Sequence, residues 1–142
     1  MTLNPKDAIA VDRVPFSTIP APFIAEVGVG MLEGALKYGR HNYRAAGVLA
    51  SVYYDAAFRH LMKYWEGEWL DADSGLPHIV KAACCLAIIH DCTLRGNITD
   101  DRPPTTDSEW QKRLNSLVAD MRNKHPDAKA PVTQESVEKW KP

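Results

Sequence analysis

One stretch constrains this chain more than any other: residues 79–89, Ile-Val-Lys-Ala-Ala-Cys-Cys-Leu-Ala-Ile-Ile, are apolar nearly all round. Pro77 stands just before it, where proline favours a helix start. The spacing predicts a helix from about Pro77 to Thr93. A helix apolar on every side is buried, so other helices must surround it. Its longest unbroken apolar run, Ala82–Ile89, falls far short of the roughly 20 residues that span a bilayer. The expectation is a central core helix and no membrane partner.

Three further segments supply the surrounding layers. Phe23, Ile24, Val27, Met31, Ala35 and Leu36 follow helical spacing over about 22–38, and Gly39 sits where a helix-ending glycine belongs. Gly28, Gly30 and Gly34 are costly inside that helix and point to close approach by another backbone or a ligand. A second helix is expected over about 50–66, with Val52, Tyr53, Ala56, Ala57, His60, Leu61 and Tyr64 on one face and Gly67 ending it. Another is expected over about 107–123, introduced by a capping box at Thr106 and Glu109, with the stripe Trp110, Leu114, Leu117, Val118 and Met121. Ser74-Gly75 is placed to cap the central helix. No alternating strand pattern and no repeat is present. The fold class is therefore all-α, a four-helix bundle. Residues 1–22 form an extended N-terminal arm because prolines 5, 15, 20 and 22 oppose a helix. Residues 23–123 make the helical catalytic domain, and 124–142 a polar C-terminal tail with one short helix over 134–140, where Trp140 needs a partner surface.

The chain's 142 residues suit one domain, and 17 basic against 18 acidic residues leave a formal charge of −1. That balance argues against non-specific nucleic-acid binding, which needs a basic surface. Three cysteines, two of them adjacent, offer no C-x-x-C pair and read as buried thiols of a reducing cytoplasm. Lys6, Asp7, Asp12 and Arg13 interrupt any leader-like apolar stretch, so a cytoplasmic location is expected.

Three groups of residues carry chemistry. Glu26, Gly30, Glu33 and Lys37 share a helix face; two carboxylates there can hold Mg²⁺ and Lys37 can meet a phosphate, or Glu33 and Lys37 form a surface ion pair. The turn from Lys37 to Arg44 combines Lys37, Arg40, His41 and Arg44 with Tyr38 and Tyr43. Cations bind phosphates and aromatic rings stack on bases, so the turn suits a nucleotide, although a plain surface turn has the same composition. Glu66, Glu68, Asp71 and Asp73 lie within eight residues, and His78 follows. Carboxylates packed so closely repel one another. A hydrated cation compensates them, or the loop is simply solvated. His60, on an apolar face, is either a satisfied core residue or a group that orients a ligand or contacts phosphate.

Two segments together resemble a known family. KYGRHNYR is similar to a KYG-x-x-N-[WY]-R signature, and RHLMKYWEGEWLDADSGLPH to an RHL…W-x-G-E-x-x-D-x-[DE]-S-G-x-x-H signature. Both resemble the phage-associated dATP/dGTP diphosphohydrolase (MazZ-like) domain, a branch of the MazG-like all-α NTP pyrophosphatases, over roughly residues 5–95. The resemblance implies a bundle of that type, assembled as a homodimer or homotetramer, in host cytoplasm if phage-encoded. It also implies Mg²⁺-dependent hydrolysis, with Mn²⁺ as a substitute, of a nucleoside triphosphate such as dGTP or dATP to the monophosphate and pyrophosphate. The wider group's E-E-x-x-E and E-x-x-D metal motifs are missing, so ligands do not transfer by position. The expected metal ligands are Glu33, Glu68, Asp71 and His78, with Asp73, Glu66 and Asp91 in reserve, and Glu68 and Asp71 are the expected catalytic groups. The expected substrate contacts are Lys37, Tyr38, Arg40, Asn42, Tyr43, Arg44 and His60.

Two other readings compete. His90-Asp91, with His60 before it and Asp100, Asp101 or Asp107 after it, has the residue order of an HD-type phosphohydrolase, which releases triphosphate. A small helical protein can also bind a nucleotide or another protein without turnover.

Overall fold

The computed structural model describes residues 4–137. It divides into two compact units, the first ending at Arg102 and the second beginning at Pro103. Elements follow in the order α1 (Pro5–Ala10), a 3-10 turn (Phe16–Thr18), α2 (Ala21–Tyr38), α3 (Asn42–Ala46), β1 (Val48–Leu49), α4 (Ala50–Trp65), α5 (His78–Arg95), β2 (Ile98–Thr99) and α6 (Glu109–Lys124). The described residues are all-α apart from a two-residue parallel pairing, Val48 opposite Ile98 and Leu49 opposite Thr99, and an isolated antiparallel bridge between Leu70 and Pro77. No helix of the described residues is long and apolar enough to cross a membrane.

In the first unit α5 is the central helix, but it is not buried on every side as its composition suggests, since Leu86 is 51% exposed. It buries His78, Val80, Ala82, Cys84 and Cys92, more than any other element. α4 packs most extensively on it and α2 next. The buried positions that α2 and α4 contribute are small: Gly30 from α2, Ala50 and Ala57 from α4. A Cβ on Gly30 would lie 2.6 Å from the Cys84 Sγ and 3.5 Å from Leu76. That close approach explains a residue which costs about 1 kcal/mol against alanine in a helix interior. Gly28 and Gly34 have no such neighbour within 4 Å, so packing does not account for them. Cys84, Cys85 and Cys92 are free, and burial pushes all three thiols up, which keeps them protonated and inert.

The connections have local causes. Gly39 ends α2 at φ +94°, and its N–H donates to the Ala35 carbonyl at 2.9 Å. Gly47 follows α3 at φ +73°, where a Cβ would overlap the Asn97 carbonyl. Asn97 Nδ2 donates to the Tyr43 and Arg44 carbonyls at 3.2 and 2.9 Å. Arg44 then grips Asp91 on α5 through Nε at 2.9 Å and Nη2 at 2.6 Å. Between α4 and α5 the chain folds back on itself. Asp71 N–H donates to the Leu76 carbonyl at 2.8 Å, and His78 N–H to the Trp69 carbonyl at 2.9 Å.

The second unit carries α6, the fourth long helix, whose expected stripe Trp110, Leu114, Leu117, Val118 and Met121 includes no buried residue. Several local expectations are corrected. The N-terminal arm is not extended throughout: Asn4 accepts from Lys6 N–H and Pro5 sits in the first turn of α1, a position where proline's missing N–H is harmless. The capping box does not form; Asp107 Oδ1 accepts from Glu109 N–H at 2.9 Å instead. Ser74 does not cap α5, whose N-cap is Pro77; it bonds Asp71. In the tail, 134–136 form a turn, and Trp140 lies outside the described residues.

Gly30→Ala is expected to lower the unfolding free energy by about 1–3 kcal/mol despite alanine's better helix propensity. Adding Cys84→Ala should recover part of that loss. Urea denaturation of the two variants checks this, and a Gly30→Ala protein as stable as the parent rules out the close approach.

Candidate functional site

The C-terminal half of α2, the turn after it and one face of α5 enclose a cavity of about 490 Å³, the size of a small-molecule site. Gly28, Gly30, Glu33, Gly34, Lys37 and Tyr38 line it from α2. Gly39 to Tyr43 form its rim, Tyr53 reaches it from α4, and Lys81, Cys84, Cys85 and Ile88 from α5. The two glycines without packing neighbours, Gly28 and Gly34, thus serve the cavity by leaving it open. His41, at the rim, adopts a left-handed φ of +62°, a conformation uncommon for a side-chain-bearing residue.

Charge in the cavity is concentrated on Glu33. Lys37 Nζ lies 2.6 Å from its Oε1, and Lys81 Nζ bonds its Oε2. These hydrogen bonds, Lys37 first and Lys81 second, hold the Glu33 carboxyl below the usual carboxylate range, and Glu33 in turn raises Lys37. Two ammonium groups against one carboxylate leave a positive balance, to which Arg40 adds. Burial raises the Tyr53 phenol, so it stays neutral.

A second constellation lies outside that cavity's lining. One donor atom each from His60, Asp71 and His78 fall within 4.8 Å of one another. His78 is fully buried, and its Nδ1 lies 2.8 Å from His60 Nδ1. Glu68 Oε1 is 3.1 Å from His78 Nε2, but off the direction in which a ring N–H donates, so that buried nitrogen has no aligned partner. Burial works to raise the Asp71 carboxyl; hydrogen bonds from the Ser74 hydroxyl and N–H, with Lys81 nearby, outweigh it and hold the group low. Burial, then His78, pushes His60 down.

Of the residues expected at the site, Lys37, Tyr38, Arg40, Asn42 and Tyr43 do share one cavity. Arg44 does not: its guanidinium is committed in bidentate fashion to Asp91, the geometry in which arginine binds a carboxylate best. That pair also takes Asp91 out of the reserve ligands. It separates the His90-Asp91 dipeptide from His60, which points to Asp71 and His78 instead. His60 is absent from the cavity lining too. Among the expected metal ligands only Asp71 and His78 belong to one cluster. Glu68 stands at the far nitrogen of His78, Glu33 is held by two lysines, and Glu66 and Asp73 are exposed. The acidic loop is therefore not a common four-carboxylate cradle. Two features were missed from the sequence, Lys81 and Tyr53. A lysine within an apolar helix, three residues after His78, was the available signal for the first.

Magnesium takes near-octahedral oxygen ligands. A cluster of two imidazoles and one carboxylate does not fit it, and the one carboxylate of the cavity is saturated by lysines. Among the described residues, neither this cluster nor the cavity offers the set of oxygen ligands that Mg²⁺ prefers.

An all-helical unit here sets lysines, an arginine and tyrosines around one cavity. The chain belongs to the dATP/dGTP diphosphohydrolase N-terminal family, whose model matches residues 3–102, ending where the first compact unit ends. No curated protein and no solved structure matches it.

Arg44 holds the Asp91 carboxyl below its ordinary value. A depressed folded-state value stabilises the protein above the unfolded pKa, about 3.9, and the contribution is lost as pH falls through the folded value. Asp91→Asn should therefore lower Tm at pH 7, with the gap to the parent closing below about pH 4. Thermal melts across pH check this; a gap independent of pH removes the ion pair as its cause.

Proposed function

We propose that this chain hydrolyses purine deoxynucleoside triphosphates, dGTP or dATP, to the monophosphate and pyrophosphate. The observation that carries the reading is the convergence of Lys37, Lys81 and Arg40 with Tyr38 and Tyr43 on one cavity, in a chain of the dATP/dGTP diphosphohydrolase N-terminal family.

In this reading the cationic groups neutralise the phosphates and the tyrosines take the base. Glu33, bonded to both lysines, keeps their ammonium groups oriented into the cavity before substrate arrives, which reduces the reorganisation needed on binding. Water adds to the α-phosphorus, the bond to the bridging oxygen breaks, and pyrophosphate leaves. Mg²⁺, or Mn²⁺ in its place, enters as part of the substrate, the metal–nucleotide chelate, and no step is assigned to it on the protein.

Chromatography of products from a nucleotide panel with Mg²⁺ tests the reading. Pyrophosphate and a deoxynucleoside monophosphate are expected. Released triphosphate points to HD-type chemistry, and binding without turnover to a non-enzymatic module; either overturns it. Lys81→Ala should reduce kcat/KM by about 10–100-fold, the size of one lost charge-assisted hydrogen bond, with helical content retained.

A homodimer or homotetramer belongs to the same proposal. Val52, Tyr54, Phe58, Leu61, Met62 and Trp65 on α4 are all exposed, Trp65 by 81%, and apolar side chains gathered on one helix mark association surfaces. Light scattering coupled to gel filtration should give a mass of two or four chains, reduced by Phe58→Glu; a parent that runs as a monomer at micromolar concentration excludes the assembly.

A further inference from the structure

The His60–Asp71–His78 cluster brings two ring nitrogens and a carboxylate oxygen within 4.8 Å of one another, on a histidine whose far nitrogen has no aligned partner. His78 is fully buried, and a buried imidazole has two ring nitrogens to satisfy. Its Nε2 has no aligned hydrogen-bond partner, although the Glu68 carboxylate stands 3.1 Å away. Its Nδ1 faces His60 Nδ1 at 2.8 Å. Two ring lone pairs at that separation repel unless a proton or a cation lies between them. Asp71 completes the group. Its Oδ2 accepts from Ser74 N–H at 3.1 Å and Ser74 Oγ at 2.7 Å, which fixes the carboxylate's orientation and leaves the other oxygen for a further partner. The three residues come from three pieces of chain, α4, the 66–77 loop and the first turn of α5.

We propose that His60, Asp71 and His78 bind one first-row transition-metal dication of the Zn²⁺ class, with Glu68 orienting His78 through Nε2. Two imidazole nitrogens and one carboxylate oxygen form a donor set of borderline softness, preferred by Zn²⁺ and Co²⁺ over Mg²⁺. Three protein ligands leave a fourth position open, as in zinc sites that keep a water. Metal–nitrogen bonds of about 2.0–2.1 Å in a tetrahedron set the two nitrogens roughly 3.3 Å apart, so about half an ångström of ring movement admits the ion. A carboxylate hydrogen-bonded to the other nitrogen of a ligating histidine is the usual outer support of such sites, and Glu68 is placed for it. Asp71 supplies one negative charge directly, and Glu68, which also faces Lys63 Nζ at 3.7 Å, stands behind His78 as a second. This site is tested apart from the nucleotide reading, because metal binding is assayed without nucleotide.

The test uses the full chain, stripped with a chelator, and titrates Zn²⁺, Co²⁺ and Mg²⁺ separately by calorimetry, thermal melting and visible spectroscopy. One equivalent of Zn²⁺ or Co²⁺ is expected to bind and raise Tm, while Mg²⁺ at the same concentration does neither. Bound Co²⁺ should give visible bands without the near-ultraviolet thiolate band of cysteine ligation. His60→Gln and Asp71→Asn should abolish binding while helical content by circular dichroism is unchanged. Glu68→Gln should weaken binding about 10–100-fold. His78 is left intact, since replacing a fully buried residue disturbs folding itself. Failure of the parent to bind Zn²⁺ or Co²⁺, a thiolate band, or parental affinity in both His60→Gln and Asp71→Asn overturns the site. Loss of metal binding with intact nucleotide hydrolysis, or the reverse, separates the two proposals.

Discussion

A single buried imidazole at the head of the central helix organises the first unit. His78 is fully buried, and a buried polar side chain left without partners costs about 1–3 kcal/mol. His60 from α4 meets one ring nitrogen at hydrogen-bond distance, and the Glu68 carboxylate from the loop stands near the other without an aligned bond. Bringing both to one ring fixes how α4 lies on α5. It also forces the loop to double back, with Asp71 and His78 N–H groups donating to Leu76 and Trp69 carbonyls. Asp71 thereby arrives beside two imidazoles through backbone geometry, not through attraction among acidic side chains.

The long helices were legible because each carries its own period. The apolar run of residues 79–89 marked α5, and Tyr38-Gly39 marked the end of α2 to the residue. Observed ends of α2, α4, α5 and α6 lie within about two residues of those read from spacing, the ordinary uncertainty of helix termini. Short elements were not legible. A two-residue strand has no alternation to read, and β1 exists because Asn97 and Gly47 draw its flank against β2. The α1 helix was missed because four prolines in the first 22 residues suggested an extended arm, whereas Pro5 occupies the one helical position proline favours.

The candidate site was legible where its residues are close in sequence. Lys37, Tyr38, Arg40, Asn42 and Tyr43 lie in one turn, so any fold that makes the turn a rim places them together. Sequence proximity misled in the loop, because Asp71 is bonded by Ser74 beside the two histidines, Glu68 stands near His78 and Lys63, and Glu66 and Asp73 are exposed. It also misled at Arg44, the residue next to cavity-lining Tyr43, whose guanidinium is locked onto Asp91. Lys81 was invisible for the opposite reason: its partner Glu33 is 48 positions away, and only the packing of α2 on α5 joins them.

That same lysine links the two constellations. Its side chain is 19% exposed, and an ammonium group so far withdrawn from water needs a fixed counter-charge. Glu33 supplies it on the cavity side, and Lys81 is also close enough to act on the charges of Asp71 and His60. His78, Lys81 and Cys84 are spaced three apart on α5 and share a face. The end of that face meets the histidine cluster and its middle meets the cavity. An anion entering the cavity competes with Glu33 for Lys81, and a cation at the histidine cluster is repelled by it. The two proposals taken together therefore imply that occupancy of either place changes the electrostatic cost of occupying the other: an anion that draws charge from Lys81 lowers the repulsion felt by a cation beside Asp71. Coupling of this kind needs no moving domain, only one partly buried ammonium group placed between two carboxylates.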